Sequence, residues 1–433
     1  MVDVVPPAAD RPRLPALTSA AIIAVGSELL TPFRSDTNSL AMTARLDEIG
    51  VRLVHKAVVG DRTPDIVAAI AAAAAHADVV LISGGLGPTA DDLTREAIAV
   101  FAGVELREDP AIVAWLEARF ARRGVPMPAI NRRQAMVPEG GEPIDNPNGS
   151  APGMLLERED VTIVAMPGPP RELLPMLDAL IETRLQARGA GTRLHRRVLK
   201  ITGRGESAVD EIAAPIYQPW ERGSPPIETT ILASPNLVEL HLHCRASDAA
   251  SAVSALEAAA DALQRAFETA CFTAEGQSLE EVVGALLKER GLWIAAAESC
   301  TAGLVAARLT DVAGSSAYVR GGVVAYDNAI KSAMLDVAPA LIETHGAVSE
   351  PVARAMADGA RARFGADVAV AVTGIAGPSG GSEAKPVGTV VIAATGLERE
   401  RVRTFRFSGD RALVRAQSVQ AALDAVRRLI LNL

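Results

Sequence analysis

The sequence predicts an α/β protein in which two α/β domains are joined by a small α+β module. In the first and last regions, short runs rich in Ala, Val and Ile alternate with helical patterns, which is typical of sheets covered by helices on both faces. The middle region, roughly 190–275, instead contains a few strands and one long helical pattern. A chain of 433 residues is long enough for two to three domains, each with its own core.

The first α/β domain is predicted over residues 18–185. Its apolar runs end in glycine and predict strands of a parallel sheet at 20–26, 53–60, 78–85 and 161–168. Residues 65–77 are typical of one of the intervening helices. Residues 1–17 are rich in proline and lack the apolar stretch of a secretory signal, so we expect a disordered tail there.

The last α/β domain is predicted over residues 278–433, after an α+β domain at 190–275. It begins with a helix at 278, followed by the strand LWIAAAE and by a helix that we expect from Ser299 to about residue 310. Further strands are predicted at RGGVVAYD, DVAVAVTG, TVVIAAT and RVRTFRF, with helices across 328–364 and 410–430.

Composition excludes several classes of function. The formal net charge of −9 gives no basic footprint for nucleic acid. The three cysteines, Cys244, Cys271 and Cys300, are far apart and odd in number, so neither a disulfide framework nor a zinc site is indicated. No uncharged apolar run is long enough to span a membrane. A reducing, cytoplasmic location is therefore expected.

Ser299, Cys300 and Thr301 lie side by side after a predicted strand, where α/β folds present ligand-binding groups. A hydroxyl or thiol there could attack a carbonyl carbon. The alternative is that Ser299 caps the next helix, as serine often does. Cys300 has no histidine nearby in the sequence and is expected to be a small buried apolar residue.

A serine nucleophile needs a base, and the sequence offers two candidates. His345 is the only histidine of the last region, and Lys331 follows a predicted strand end with Tyr326 five residues before it. Serine–lysine pairs are known variants of the catalytic triad. Lowering a lysine pKa from about 10.4 to about 7 costs about 4–5 kcal/mol, which burial or a neighbouring cation can supply. The alternative is a solvated lysine at a helix start.

Two loops are expected at the same end of the last sheet. Residues 372–389 form a long Gly/Pro/Ser loop whose backbone N–H groups could approach a phosphate or an oxyanion. Arg411 begins the last helix and could hold a phosphate in a bidentate manner. Turn formation and helix capping are the alternatives for both.

The stretch ISGGLGPTADDLTREAI in the first domain predicts a strand, a glycine-rich turn and a helix. Gly84, Gly85 and Gly87 leave the backbone bare for a phosphate, and Asp91 and Asp92 suggest a divalent cation bridging to phosphate oxygens. The alternative for the two carboxylates is a favourable interaction with the helix dipole. Two other strand ends offer Glu28 and Asp61, and the stretch SDTNS adds Asn38.

The motifs of residues 278–433 resemble the C-terminal domain of the CinA family, the nicotinamide-mononucleotide deamidases also called PncC. They are AESCTAGLVAARLTDVAGSS, RGGVVAYDNAIKSAML, HGAVSEPVA, VTGIAGPSGGSEAKPVGTV and FSGDR. The resemblance implies that Ser299 is the nucleophile and that Lys331 and Tyr326 assist it, without a cofactor. It further implies a substrate site at Thr373, Gly374, Gly377 and Arg411. Ala302 departs from the family glycine, and we expect it to suit the predicted helix better.

Residues 18–180 resemble the MoaB/Mog-like molybdopterin-binding domain of full-length CinA proteins, through VGSELL, SDTNS, GGLGPTADDLT, NGSAPG and PGPPREL. The resemblance implies a metal-dependent ADP-ribose pyrophosphatase, with Asp91 and Asp92 near a divalent metal cation of unidentified kind. Glu28, Asn38, Asp61 and the three glycines would surround the nucleotide.

The middle region corresponds to the KH-like linker domain of these proteins, but it lacks a GxxG clamp, so RNA binding is not expected. The family resemblance also implies a homodimer. Two other functions stay open, a molybdopterin-handling protein and a non-enzymatic competence or DNA-damage regulator. The expected ligands are the nucleotides nicotinamide mononucleotide (NMN) and ADP-ribose, with no nucleic acid or membrane partner.

Overall fold

The computed structural model describes residues 16–158, 160–189 and 191–433, and it confirms the α/β class. Most of the predicted tail, 1–17, lies outside the described residues. The chain divides into two compact units. The first ends at Leu194 and also contains Arg245–Ala249, and the second contains His195–Cys244 and Ala250–Leu433. The predicted domain boundaries stay predictions, since the linker region and the last region share the second unit.

The first unit contains eight strands and five helices among its described residues. The strands are β1 (Ser19–Val25), β2 (Arg52–Val59), β3 (Val79–Ser83), β4 (Leu106–Glu108), β5 (Met136–Pro138), β6 (Glu142–Ile144), β7 (Gly153–Glu157) and β8 (Thr162–Met166). The helices are α1 (Asn38–Glu48), α2 (Thr63–Ala74), α3 (Thr94–Ala102), α4 (Pro110–Ala121) and α5 (Pro170–Leu180).

The main sheet of this unit has the order β2-β1-β3-β8-β7-β6. The four strands that the sequence predicts, β1, β2, β3 and β8, are parallel to one another, which confirms the expectation, whereas the two strands that it did not predict, β7 and β6, are antiparallel. The reason is local, because only four residues separate β7 from β8, too few for the crossover that parallel neighbours need.

Buried aliphatic side chains cover both faces of this sheet. Ile22 and Ile23 are both fully buried, yet they belong to different clusters because successive strand residues point to opposite faces. Ile23 packs with Ile66 of α2, whereas Ile22 packs with Leu177 of α5. Packing in these two clusters holds β1, β3 and β8 in place and thereby determines where the carboxyl ends of these strands lie.

The second unit begins with a four-stranded sheet of order β10-β11-β9-β12. Its strands are β9 (Arg193–Thr202), β10 (Ile227–Ser234), β11 (Leu237–Ala246) and β12 (Cys271–Thr273). Its helices are α6 (Glu206–Tyr217) and α7 (Ala249–Phe267). This is the small α+β arrangement that the middle of the sequence predicts.

The rest of the second unit is built on a five-stranded sheet of order β14-β13-β15-β16-β17. The strands are β13 (Ile294–Glu298), β14 (Val319–Val324), β15 (Val368–Gly374), β16 (Thr389–Gly396) and β17 (Arg399–Arg406). The helices are α8 (Leu279–Glu289), α9 (Leu304–Thr310), α10 (Asn328–Leu335), α11 (Pro339–His345), α12 (Glu350–Phe364) and α13 (Arg411–Leu431).

Four of these five strands run in one direction. β13, β14 and β15 are parallel, and β16 is antiparallel to both β15 and β17. Strands β13, β14, β15 and β17 therefore end at the same edge of the sheet. The loop that contains Ser299, the turn that contains Tyr326, the loop 375–388 and the loop before Arg411 all meet there. No helix in the described ranges is long and apolar enough to cross a membrane.

Candidate active sites

Ser299 is the first residue beyond β13 and is held between two neighbouring strands. Its N–H donates to the carbonyl of Val372 at 2.9 Å, and the N–H of Ala325 donates to the carbonyl of Glu298 at 2.8 Å. The residue is buried, with 8 % of its surface exposed. Its position thus follows from the strand register, which places Ser299 between the ends of β14 and β15.

Glu298, and not Ser299, caps the helix that follows. The Glu298 carboxylate accepts the N–H groups of Gly303, Val305 and Ala306 at 2.9, 3.1 and 2.9 Å. The Ser299 hydroxyl makes no hydrogen bond to any residue of the described ranges. The interpretation of Ser299 as an N-cap is therefore wrong, and the hydroxyl is left available for chemistry. Sequence reasoning missed Glu298, which reads only as the end of a strand.

The loop from Ser299 to Gly303 separates the strand from α9. The expected helix start at Ser299 is wrong, because α9 begins at Leu304. Ala302 lies in this loop with a φ of 51°, in the left-handed region that disfavours a Cβ. The expectation that alanine suits this position better than the family glycine is therefore wrong as well.

Lys331 is a buried lysine on α10. Its side chain is 1 % exposed, and its Nζ donates to the carbonyl of Tyr326 at 3.2 Å. Burial lowers the pKa of Lys331, against a smaller opposing effect of Asp327. The solvated-lysine alternative is therefore wrong, and the group has the property that a lysine base needs. His345 ends α11 with an exposed side chain, and its ring makes no hydrogen bond within the described part of the chain.

Arg411 joins three of the predicted site residues. Its Nη2 donates to the Tyr326 hydroxyl at 3.1 Å, and its Nη1 donates to the carbonyl of Gly377 at 2.9 Å. Tyr326 is 59 % exposed, and its own carbonyl accepts the hydrogen bond from Lys331. One network thus runs from Lys331 through Tyr326 and Arg411 to the Gly377 loop, over residues that are up to 85 positions apart in sequence.

The remaining predicted residues pack beneath this network. Thr373 is buried, and its hydroxyl donates to the carbonyl of Ala347 at 2.9 Å, so that group already has an acceptor. A Cβ on Gly374 would lie 2.7 Å from Val390 Cγ2 and 3.1 Å from Cys300 Sγ. Burial raises the pKa of Cys300 to about 11, which confirms its packing role. Thr301 does not cap α9, since its fully buried hydroxyl has no hydrogen-bond partner in the described ranges.

The predicted residues of the first unit line a cavity of about 360 Å³ at the carboxyl ends of β1, β2, β3 and β8. Seven of them contribute to its wall: Glu28, Asp61, Gly84, Gly85, Gly87, Asp91 and Asp92. Asn38 lines a neighbouring cavity of about 450 Å³, which shares Glu28 with the first. Asn38, the first residue of α1, donates to the Ser83 hydroxyl and to the Gly168 carbonyl at 2.8 and 2.7 Å, which ties the start of α1 to the ends of β3 and β8.

The first cavity is strongly acidic. Five carboxylates line it and no Lys, Arg or His is among its described lining residues; the five are Glu28, Asp61, Asp91, Asp92 and Glu172. A phosphate can enter such a cavity only together with a cation, which agrees with the predicted divalent metal. Among the described residues, no group of three or more His, Cys, Asp or Glu side chains could hold a metal ion by itself. One or two carboxylates, substrate phosphates and water are the ligand set that fits, as is usual for Mg²⁺.

Three of these carboxylates already hold loops in place. Asp61 accepts the N–H of Ser27 at 2.7 Å, Asp92 accepts the N–H of Thr89 at 2.8 Å, and Glu172 accepts a hydrogen bond from the Asn146 amide at 2.8 Å. Asp91 is exposed, and the nearby Thr89 hydroxyl, which donates to Asp92, lowers the pKa of the Asp91 carboxyl group. The predicted pair Asp91 and Asp92 is thus divided into one exposed carboxylate and one that shapes the loop.

The glycines of this loop are required by close packing. Gly85 has a φ of 68°, and a Cβ there would lie 2.1 Å from Thr94 Oγ1. A Cβ on Gly87 would lie 2.3 Å from Asp92 Oδ2, and one on Gly84 would lie 2.3 Å from the carbonyl oxygen of Val25. Because these contacts alone demand glycine, approach of a phosphate to the loop stays a prediction.

Two arginines that sequence reasoning missed hold the same loop. Arg95 is 2 % exposed and donates to the carbonyls of Leu86 and Gly87, and burial lowers its pKa to about 10. Arg133 donates to the carbonyl of Thr89 at 2.6 Å and pairs with Glu96 at 2.8 Å. In the sequence both read as ordinary helix or surface arginines, because their acceptors are main-chain carbonyls.

Family models match both ends of the chain. Residues 276–430 match the CinA C-terminal domain, and residues 21–187 match the probable molybdopterin binding domain. Among solved structures, the competence/damage inducible protein CihA from Agrobacterium tumefaciens is 40 % identical with a TM-score of 0.34, and the match covers 36 % of this chain and 99 % of that one.

Curated relatives match over almost the whole length. A CinA-like protein from Koribacter versatilis is 46 % identical over 416 residues, which cover 95 % of this chain and 100 % of the relative. A putative competence-damage inducible protein from Symbiobacterium thermophilum is 41 % identical, with 95 % and 99 % covered. The chain therefore belongs to the CinA family.

Proposed function

We propose that the second unit is an amidase that converts NMN and water to nicotinate mononucleotide and ammonia. Ser299 Oγ attacks the carboxamide carbon and passes its proton to neutral Lys331. The lysine then passes this proton to the amide nitrogen, which leaves as ammonia. Water hydrolyses the ester to Ser299 and releases nicotinate mononucleotide. The observation that carries this proposal is the burial of Lys331, which favours the neutral form of its amine.

Tyr326 and Arg411 have supporting roles in this proposal. Lys331 donates to the Tyr326 carbonyl, which orients the amine, while Arg411 holds the exposed phenol of Tyr326. Arg411 is also the cation of this network that contacts the loop 375–388, through the carbonyl of Gly377, and it would bind the substrate phosphate. Backbone N–H groups near Ser299, or those of Gly374 and of the loop that contains Gly377, would stabilise the oxyanion. Thr373, which precedes Gly374, is buried.

The test is ammonia release from NMN by the full chain and by two adjacent variants. We expect Ser299→Ala to lose at least about 10³-fold in turnover, as removal of a nucleophile does. Cys300→Ala removes a buried thiol one residue away and should keep its turnover. The proposal would be overturned if Cys300→Ala lost its turnover of NMN and Ser299→Ala retained it. An inert wild type would favour a regulatory role without turnover.

For the first unit we propose a metal-dependent ADP-ribose pyrophosphatase. Its acidic cavity supports this activity, because cleavage of a diphosphate needs charge neutralisation and an activated water more than a protein nucleophile. A divalent cation supplies that neutralisation when bound. Asp91 and Glu28 would hold the cation. The loop around the nucleotide would be kept in shape by Asp61, Asp92 and the glycines Gly84, Gly85 and Gly87. Asn38 would lie at the neighbouring cavity.

Thermal stabilisation by ligands distinguishes this activity from molybdopterin binding. A ligand that binds only the folded protein raises its Tm in proportion to the logarithm of its concentration. We expect ADP-ribose with Mg²⁺ to raise the Tm of the wild type and to raise that of Asp91→Asn less. Stabilisation by molybdopterin alone would instead identify a molybdopterin-binding protein. We also propose a cytoplasmic homodimer, which sedimentation measurements can test.

A further inference from the structure

A cavity of about 750 Å³ lies within the second unit and shares no lining residue with either proposed site. One wall is formed by the edge strand β17 and by α13. The other is formed by the turn after β9, which contains Arg204, and by the end of α7. Cavities of about 300–1,000 Å³ are typical of small-molecule sites. This one therefore has room for an organic ligand at the junction of the two sheets.

Five residues of β17 line this cavity, and three of them share one face of the strand. Arg401, Arg403 and Phe405 alternate along β17, so their side chains project in the same direction. The guanidinium of Arg403 lies 5.0 Å from the centre of the Phe405 ring, and that ring stacks on Phe407 at 5.2 Å. The wall thus combines cations with a fixed aromatic surface.

Three of the four carboxylates that line the cavity are already engaged, whereas the fourth, Glu268 after the end of α7, pairs with no arginine in the described part of the chain. Glu400 pairs with Arg354 at 2.6 Å, and Asp424 pairs with both Arg427 and Arg428 at 2.7 and 2.6 Å. Glu350, the next carboxylate on this wall, accepts a hydrogen bond from the Thr404 hydroxyl at 3.0 Å. These three carboxylates therefore have direct partners other than Arg401 and Arg403.

Arg204, Arg401 and Arg403 make no ion pair or hydrogen bond with the residues that the structure describes. Arg401 is half-buried, and burial lowers its pKa, with Arg428 and Arg427 lowering it further against the opposing effect of Asp424. A half-buried cation beside other cations is unfavourable unless an anion joins it. Polyanion binding would relieve that cost.

We propose that this cavity binds a nucleotide-sized organic polyphosphate, with its phosphates on Arg401, Arg403 and Arg204 and its base against Phe405. Arginine suits this task because its planar fork holds phosphate oxygens in pairs and also stacks on rings. The ligand contacts both the linker sheet and the C-terminal sheet, so it would join the two parts of the second unit. This site is separate from Ser299 and from the acidic cavity of the first unit.

The test measures binding of ATP and of inorganic tripolyphosphate to the full chain by calorimetry in EDTA. The variants are Arg401→Gln/Arg403→Gln and, as a matched control, Arg406→Gln, which removes an exposed arginine of β17 that does not line the cavity. We expect the double variant to bind both probes at least about tenfold more weakly, as loss of charge-assisted hydrogen bonds predicts. Any binding to the first unit is common to all three proteins and cancels.

The control should bind as the wild type does, and ATP should bind more tightly than tripolyphosphate because only ATP has a base for Phe405. Equal binding by the double variant and the wild type would overturn the proposal, as would a wild type that binds neither probe. A second readout is the Tm without ligand. Arg401→Gln should raise it by removing an unpaired cation, whereas a fall would show that Arg401 serves the fold instead.

Discussion

The two proposed sites both lie at the carboxyl ends of strands, but they differ in what their side chains are doing. Around Ser299, the capping task falls to Glu298 and the serine hydroxyl remains without a partner in the described ranges. Around the acidic cavity, Asp61, Asp92 and Glu172 are occupied with holding loops. The first site therefore presents its own reactive groups, whereas the second presents a shaped, negative cavity.

This difference explains why the proposed chemistries differ. A buried lysine and a buried serine can act on a carboxamide without help, since the protein supplies both nucleophile and base. A cavity lined by carboxylates has no nucleophile to spare and repels phosphate until a cation enters. We therefore expect changes in metal, charge and pH to separate the two sites clearly.

Removal of divalent metal should have the largest and most selective effect. With excess EDTA we expect ADP-ribose hydrolysis to be lost, because nothing then neutralises the five carboxylates and the diphosphate. Ammonia release from NMN should be unchanged under the same conditions. Loss of both activities in EDTA would break the comparison between the sites.

Replacement of Lys331 should lower only the amidase activity. We expect Lys331→Met to reduce turnover of NMN by about 10²–10⁴-fold, the usual contribution of a general base. Lys288→Met, which changes an exposed lysine of α8, serves as the matched control. The Tm of Lys331→Met should not fall, because the substitution removes a buried amine.

The pH dependence of both turnover and stability should report the same lysine. Burial lowers the pKa of Lys331, and the base must be neutral, so turnover should rise with pH and level off below the ordinary lysine value of 10.5. In the unfolded chain Lys331 keeps its ordinary pKa of 10.5. Between the lowered pKa of the folded protein and this value, the unfolded chain therefore binds more protons than the folded one. The free energy of unfolding should therefore rise with pH across that window, and Lys331→Met should remove this rise.

Loss of the helix cap should have an intermediate effect. Glu298→Gln removes a charge that accepts three backbone N–H groups, and we expect it to lower the unfolding free energy by about 1–3 kcal/mol. Amidase turnover should fall with it, because the loop that contains Ser299 loses its anchor, while ADP-ribose hydrolysis should not change. The control is Glu289→Gln, which changes an exposed residue at the end of α8, and its unfolding free energy should equal that of the wild type. Equal stability of both variants would contradict this role of Glu298.

The smallest expected effect concerns Ala302. Since its φ is 51°, Ala302→Gly should raise the unfolding free energy by about 1 kcal/mol. The matched substitution Ala307→Gly, within α9, should lower it by about the same amount. Thermal denaturation of the two variants should thus show shifts of opposite sign, and shifts of the same sign would contradict the left-handed conformation of residue 302.

The sequence predicted what depends on periodicity and missed what depends on contacts distant along the chain. The continuous apolar run around Ile22 and Ile23 was enough to predict β1 and its two buried faces. The true start of α9 was missed because its cap comes from Glu298, five to eight residues earlier. The burial of Lys331 could not be predicted, since it results from packing at an edge that several distant loops form.

The central claim is that one chain carries two chemically independent sites, and a crossed assay tests it most directly. Ammonia release from NMN and hydrolysis of ADP-ribose with Mg²⁺ would be measured on wild type, Ser299→Ala and Asp91→Asn. We predict that Ser299→Ala loses only the first activity and that Asp91→Asn is impaired only in the second. A variant that loses both activities while keeping the wild-type Tm, or a Ser299→Ala protein that still releases ammonia, would contradict the claim.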